Sequence, residues 1–239
     1  MIQETMARLQ PLASPSDIWI VTNKWLLDVI GEQLPEIPTK HIISEPCSRN
    51  TAPACALIAF ILERSDPDAV LGIFPSDHFV GNPKRFAEII AAGIHLAAVP
   101  GNIVVLGIIP TRPETGYGYI EMGALIEDEA APADSVPIGV HRVRRFREKP
   151  DPATAASFLA TGNFAWNGGI FLWSARTLAA AVREYMPDTA PIMESIASAY
   201  GTPQFESVFA REYPQCESIS VDYAILERRA AIGQHRSHI

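Results

Sequence analysis

Four short strand-like runs, Ile18–Thr22 (IWIVT), His41–Ser44 (HIIS), Ala69–Phe74 (AVLGIF) and Asn102–Ile109 (NIVVLGII), alternate with segments of helical spacing. Apolar runs without polar alternation suit strands covered on both faces. Strands separated by helices lead to a doubly wound sheet built of right-handed crossovers. The expected class is therefore α/β and Rossmann-like, with a mixed, mainly parallel sheet. The helix starts are marked locally. Asn23 precedes a helix through Leu34, Asn50 or Thr51 with Pro53 opens one to Arg64, and Asn82 with Pro83 opens another to Val99.

Beyond Gly116 the rhythm changes. GYIEMGALI and VHRVRRFRE alternate like exposed or edge strands, and the acidic, Pro-bearing stretch Asp128 to Pro137 reads as the loop between them. Asp151 and Pro152 start a helix through Thr161, GGIFLW is a further apolar strand, and Ser174 caps the next helix. From Pro187 to Ile232 the pattern is mostly helical. No repeat or long linker divides residues 1–239, so one domain is expected.

Polar clusters stand where these runs end: EPCSRNTAPA from Glu45, FPSDH from Phe74, PETGYGY from Pro113, FREKP from Phe146 and WNGGIF from Trp166. Strand ends of open α/β sheets are where ligands bind. Asp77 is a single carboxylate after a buried strand, which suits Mg²⁺ completed by water and substrate phosphate, or else a turn cap. Gly116 and Gly118 permit close approach of a ligand between flat tyrosines, or a tight hairpin. Glu148 can accept from sugar hydroxyls while Lys149 offers a cation to phosphate; a solvated charged turn is the alternative. Asn167 is a turn residue or an amide aimed at a hydroxyl. Arg49, Asn50 and Thr51 open a helix and either cap it or face an anion or the polar edge of a base. One shared pocket accounts for all of them together.

Composition removes several classes. A net charge of -8 and a pI near 5.2 oppose a nucleic-acid groove, while local Lys and Arg still allow an anionic small substrate. Three cysteines, Cys47, Cys55 and Cys216, lack metal-ligand spacing and suggest reduced thiols in a cytoplasmic protein. No apolar run approaches the roughly 18 residues of a membrane span. A nucleophile elbow, a P-loop and an H-E-x-x-H motif are absent from the sequence. The state of association is left open, a homo-oligomer included.

In the same order, EPCSRNTAPA, FPSDH, TRPETGYGYIE, FREKPD, NFAWNGGIFLW and SISVDYAILE resemble the segments of the sugar-nucleotide pyrophosphorylases, most closely the bacterial mannose-1-phosphate guanylyltransferases. The resemblance runs from Ile2 to about Glu227. It implies the nucleotide-diphospho-sugar transferase type of fold, with Arg49 to Thr51 near a guanine nucleotide and Asp77 holding Mg²⁺. It further implies that Gly118, Glu148, Lys149 and Asn167 hold mannose 1-phosphate, that Asp222 lines the site, and that Asp77 and Lys149 carry the catalysis.

The implied reaction joins GTP and mannose 1-phosphate into GDP-mannose and pyrophosphate. Where that family opens on a strand and a Gly-Gly-x-Gly-x-Arg loop, Met1 begins what resembles the following helix, and QHRSHI comes before the family's later metal-binding Asp. The expectation is a nucleotidyltransferase domain incomplete at both ends and lacking its first strand. The alternative is an inactive fragment or a non-catalytic, sugar-phosphate-binding regulatory partner.

Overall fold

The computed structural model describes residues 1–126, 139–231 and 237–238. The loop expected at Asp128 to Pro137 and much of the QHRSHI tail lie outside the described residues.

The chain opens with α1 (Ile2–Leu9), β1 (Ile20–Asn23) and α2 (Leu27–Gln33), followed by β2 (Ile42–Glu45) and α3 (Thr51–Glu63). Next come β3 (Val70–Ile73), α4 (Pro83–Ala97), β4 (Ile103–Ile108), β5 (Tyr119–Leu125) and β6 (His141–Arg147). The last part holds α5 (Pro152–Thr161), β7 (Phe164–Ser174), α6 (Ala175–Tyr185), α7 (Ala190–Ala199), α8 (Phe205–Glu212), α9 (Glu227–Ala231) and β8 (Ser237–His238). The caps act as their chemistry requires. Asn50, Asn82, Asp151 and Ser174 each accept a backbone N–H in the first turn of α3, α4, α5 and α6. Asn23 instead caps a short 3₁₀ turn, Lys24–Leu26, ahead of α2.

The α/β class is the expected one, and the sheet is mixed. β1 and β2 pair in parallel as a two-stranded sheet, and the other strands form a sheet of order β3-β7-β4-β8-β6-β5. The parallel share is smaller than expected, because β7 runs antiparallel to β3, β4 and β5, and β6 runs antiparallel to β5 and β8. Strand β7 separates β3 from β4, which would otherwise be parallel neighbours.

Side-chain alternation along β7 and β4 explains why helices cover both faces. Phe171 and Trp173, with Ile103 and Val105, join the main core under α3, α6 and α7. Ile170, Leu172 and Val104 point the other way, onto Ile90 and Ala97 of α4. A third cluster, Tyr119, Phe158, Phe164 and Trp166, seats α5 at the far end of β7. Helix α3 is apolar nearly all round because α6 and α7 enclose it: Ala52, Ala56, Leu57 and Ala59 are all buried. Its charged end is tied by Glu63, which accepts from Arg183 of α6 at 2.8 and 2.9 Å.

One expectation is corrected at β7. Trp166 to Gly169 are not a strand end, for the strand runs through them from Phe164 to Ser174. The glycines make this passage possible. A Cβ on Gly168 would sit 2.8 Å from the Leu106 carbonyl oxygen of β4, where the β4–β7 register shifts, and Gly169 takes φ +66. On the opposite edge of β7, β3 pairs with Phe171 to Ser174 and β5 with Phe164 to Trp166. The short interval between β3 and β5 is where the candidate site forms.

Candidate functional site

Most of the singled-out residues meet around that interval. The Asn167 backbone N–H donates to the Gly118 carbonyl at 2.7 Å, so the PETGYGY turn enters β5 directly beside β7. The Asn167 side chain is occupied at both ends. Its Nδ2 donates to Asp222 Oδ1 at 2.7 Å, and its Oδ1 accepts the Gly169 N–H at 3.1 Å. Asn167 therefore braces Asp222, with only its remaining N–H and lone pair left for a ligand.

Glu148, just past β6, lies across the same point. A Cβ on Gly118 would stand 2.4 Å from Glu148 Oε2 and 3.2 Å from the Asn167 Cβ, so this close packing requires glycine at 118. The Glu148 side chain is only 9% exposed, and its Oε2 is buried without a hydrogen-bond partner. A buried acceptor left unpaired is costly, and a ligand hydroxyl would satisfy it. Lys149 follows with φ +43, a conformation that turns the chain sharply before Pro150, and its Nζ stands 3.7 Å from Glu148 Oε1. At 58% exposure its ammonium remains open to solvent and to an anion.

The electrostatics of this patch are those of carboxylates drawn out of water. Burial raises Glu148 above its ordinary value, the charge of Asp222 adds to the rise, and Lys149 opposes it. Burial likewise raises Asp222, against the bonds it accepts from its own backbone and from Asn167. Burial and then the charge of Asp222 push the Cys55 thiol of α3 up to about 12.

Asp222 thereby joins two regions. It begins a π-helical turn, Asp222–Leu226, at the end of a segment that lies across the start of α3. Along this seam the Val221 N–H donates to Thr51 Oγ1 at 2.9 Å, the Ala52 N–H to the Ile219 carbonyl at 3.1 Å, and Arg49 to the Pro214 carbonyl. Asn50, at φ 65, spends its Oδ1 on the Thr51 N–H at 2.9 Å. Arg49 and Thr51 thus fasten the 214–221 segment to α3, while Asn50 caps the helix. Among the described residues no hydrogen bond or ion pair joins them to Glu148 or Lys149, and the segment that ends in Asp222 links the two groups.

Asp77 stands apart. It is exposed in the turn after β3, and its carboxylate makes no hydrogen bond or ion pair among the described residues. The neighbouring Pro75 and His78 lie over Gly169, at 3.6 and 3.9 Å from where a Cβ would be. The turn therefore borders the interval on β7 that also carries Asn167. Among the described residues no group of three or more His, Cys, Asp or Glu could hold a metal. A free, exposed carboxylate fits a hard cation that takes most of its ligands from water and phosphate, rather than one caged by protein.

Sequence reasoning passed over Tyr213, Thr5 and Arg8. The Tyr213 hydroxyl donates to Glu45 Oε1 at 2.5 Å and ties the end of β2 to the 213–216 turn. Burial raises Glu45 and this bond opposes the rise. Arg8, from the first helix of the chain, donates to the His78 carbonyl at 2.6 Å. None of these residues stands in a motif that could have signalled it.

The family model described as Nucleotidyl transferase matches residues 1–207. The chain belongs to this family. It is 35% identical over 239 residues to mannose-1-phosphate guanylyltransferase 2 of Escherichia coli O157:H7, covering 95% of this chain and 47% of that protein. It is 34% identical over 237 residues to the mannose-1-phosphate guanylyltransferase of Sinorhizobium fredii, covering 96% and 44%. The chain thus spans about half the length of the curated relatives it matches.

Among solved structures, one described as a mannose-1-phosphate geranyltransferase from Thermus thermophilus superposes with a TM-score of 0.80 at 29% identity, covering 99% of this chain and 62% of that chain. A Helicobacter pylori structure described as a mannose-6-phosphate isomerase has a TM-score of 0.76 at 24% identity, covering 99% and 86%, and shares the fold. Among the described residues the chain has no helix long and apolar enough to cross a membrane.

Proposed function

We propose that the chain takes part in the reaction named for its relatives: transfer of guanylyl from GTP to mannose 1-phosphate, giving GDP-mannose and pyrophosphate. The observation that carries this reading is the convergence of Gly118, Glu148, Lys149, Asn167 and Asp222 from separate elements at the interval between β3 and β5.

The residues divide the work by their chemistry. The unpaired Glu148 Oε2 accepts from a sugar hydroxyl, with Gly118 leaving the space and Asp222, braced by Asn167, adding a second acceptor. Lys149, exposed and cationic, meets the sugar's phosphate. A phosphate oxygen of mannose 1-phosphate attacks the α-phosphorus of GTP, the bond from that phosphorus to the bridging α–β oxygen breaks, and pyrophosphate leaves with the electron pair. The nucleophile is already an anion, so positioning and charge neutralisation suffice without a strong base. Arg49 to Thr51 border the nucleotide. Asp77 would hold Mg²⁺, which when bound neutralises phosphate charge. The free thiols Cys47, Cys55 and Cys216 suit a cytoplasmic setting.

Titration calorimetry of the whole chain with mannose 1-phosphate, followed by ³¹P NMR of a mixture with GTP and Mg²⁺, tests the reading. Saturable binding of the sugar phosphate with pyrophosphate release is the expected result. No binding of mannose 1-phosphate would sink the assignment of the cluster, and binding of GTP alone would move the site to the α3 side.

A further inference from the structure

Helix α1 delivers a buried cation to the back of the Asp77 turn. Arg8 is 9% exposed, lies 5.9 Å from the Phe86 ring centroid, and has no carboxylate partner among the described residues. Its Nη1 donates to the His78 carbonyl at 2.6 Å and its Nη2 to Thr5 Oγ1 at 2.6 Å. The Thr5 hydroxyl donates in turn to the Ser76 carbonyl at 3.4 Å. Both carbonyls that flank Asp77 are therefore held from one helix. Arg8 Nε is buried without a partner, so the guanidinium carries a desolvation cost that its location must offset.

Two readings of such a residue compete, and size decides between them. The void between Arg8, Phe74, His78 and Ile170 is about 10 Å³, room for no more than about one water. An anionic ligand cannot enter it. Arg8 acts through the turn, and its planar fork bonds the two acceptors from two separate nitrogens at fixed spacing, which the single nitrogen of a lysine does not reproduce.

We propose that Arg8 and Thr5 are positioning residues that fix the backbone on both sides of Asp77 and so set the geometry of a divalent cation bound there. This rests on the assignment of Asp77 under the proposed function. A site with one protein carboxylate takes its precision from the stiffness of the turn that bears it, not from a cage of ligands.

The test uses the full chain, Mn²⁺ binding followed by electron paramagnetic resonance, and amide hydrogen exchange of residues 74–80. In Arg8→Lys, exchange at Ser76 to His78 should quicken by about tenfold and Mn²⁺ affinity should fall by about tenfold, with α3 and α6 protected as before. Thr5→Val should change both in the same direction by less, and it carries the test if Arg8→Lys does not fold. Unchanged local exchange overturns the proposal, as does a uniform loss of protection over the whole chain. Unchanged Mn²⁺ affinity also overturns it if Asp77→Ala abolishes binding. Should Asp77→Ala leave Mn²⁺ binding intact, the metal assignment itself fails. Exchange then decides the clamp: local quickening supports it, and none overturns it.

Discussion

The Glu148–Asp222 cluster and the Arg49–Thr51 segment are both short polar stretches beside the sheet, yet they use their side chains in opposite ways. In the cluster a buried acceptor is left unused: Glu148 Oε2 has no partner, while Asp222 beside it accepts from Asn167 and from its own backbone. At the start of α3, Arg49, Asn50 and Thr51 bond to the Pro214 carbonyl, the Thr51 N–H and the Val221 N–H, and of these three side chains only Arg49 keeps an unpaired buried atom, its Nε. Unspent buried polarity beside an open interval can take a hydrogen bond from a ligand, whereas spent polarity holds a joint.

The largest effect should come from Gly118→Ala. Its backbone is outside the positive-φ glycines, so alanine is conformationally allowed, but the new Cβ would stand 2.4 Å from Glu148 Oε2. Glu148 must swing away from the acceptor position. Displacing a positioned group by such a distance costs about 100-fold, read here as loss of mannose 1-phosphate affinity with the circular dichroism spectrum retained. Unchanged affinity would mean that Glu148 Oε2 does not meet the sugar, and the contrast would lose its first half.

How much of this was legible in the sequence depends on range. Asn50, Asn82, Asp151 and Ser174 act within their own first turns, so their roles follow from local chemistry. The strands of the first half follow from apolar runs covered on both faces. The insertion of β7 between β3 and β4 does not, because antiparallel entry from a distant segment leaves no period or spacing in the runs it separates. The commitments of Arg49 and Thr51 are likewise invisible, for their partners lie 165 and 170 positions away. Gly168 and Gly169 were legible as the start of an apolar strand, but not that β7 begins before them at Phe164 and passes a bulge there. Glu148 and Lys149, by contrast, were readable as a strand exit because Pro150 restricts the residue before it.

Asp222→Asn should separate function from stability. Burial raises the folded value of Asp222 above its ordinary 3.8, so the stability it contributes is full where it is protonated and declines as pH climbs from 3.8 through that higher value. Asparagine keeps an oxygen for the Asn167 N–H and has no charge to desolvate. At pH 7 the variant should melt about 2–4 °C higher than the unaltered chain, and the gap should close toward pH 3.8. Binding of mannose 1-phosphate should weaken at the same time, as expected where a buried charge is kept for function. A lower melting temperature at pH 7 would instead make Asp222 part of the joint.

Thr51→Val should show the smallest effect and probes the other region. Valine keeps the shape of threonine but leaves the Val221 N–H, donated at 2.9 Å to Thr51 Oγ1, without its acceptor. Val221 is 1% exposed, so water does not readily replace the hydroxyl, and a loss of about 1 kcal/mol in stability follows. Affinity for GTP, measured by calorimetry, should stay unchanged, because the hydroxyl is already bonded within the protein. A weakened GTP affinity at constant stability would show the opposite. The Thr51 hydroxyl would then leave Val221 for the nucleotide, and the start of α3 would be a binding surface of the same kind as the Glu148–Asp222 cluster.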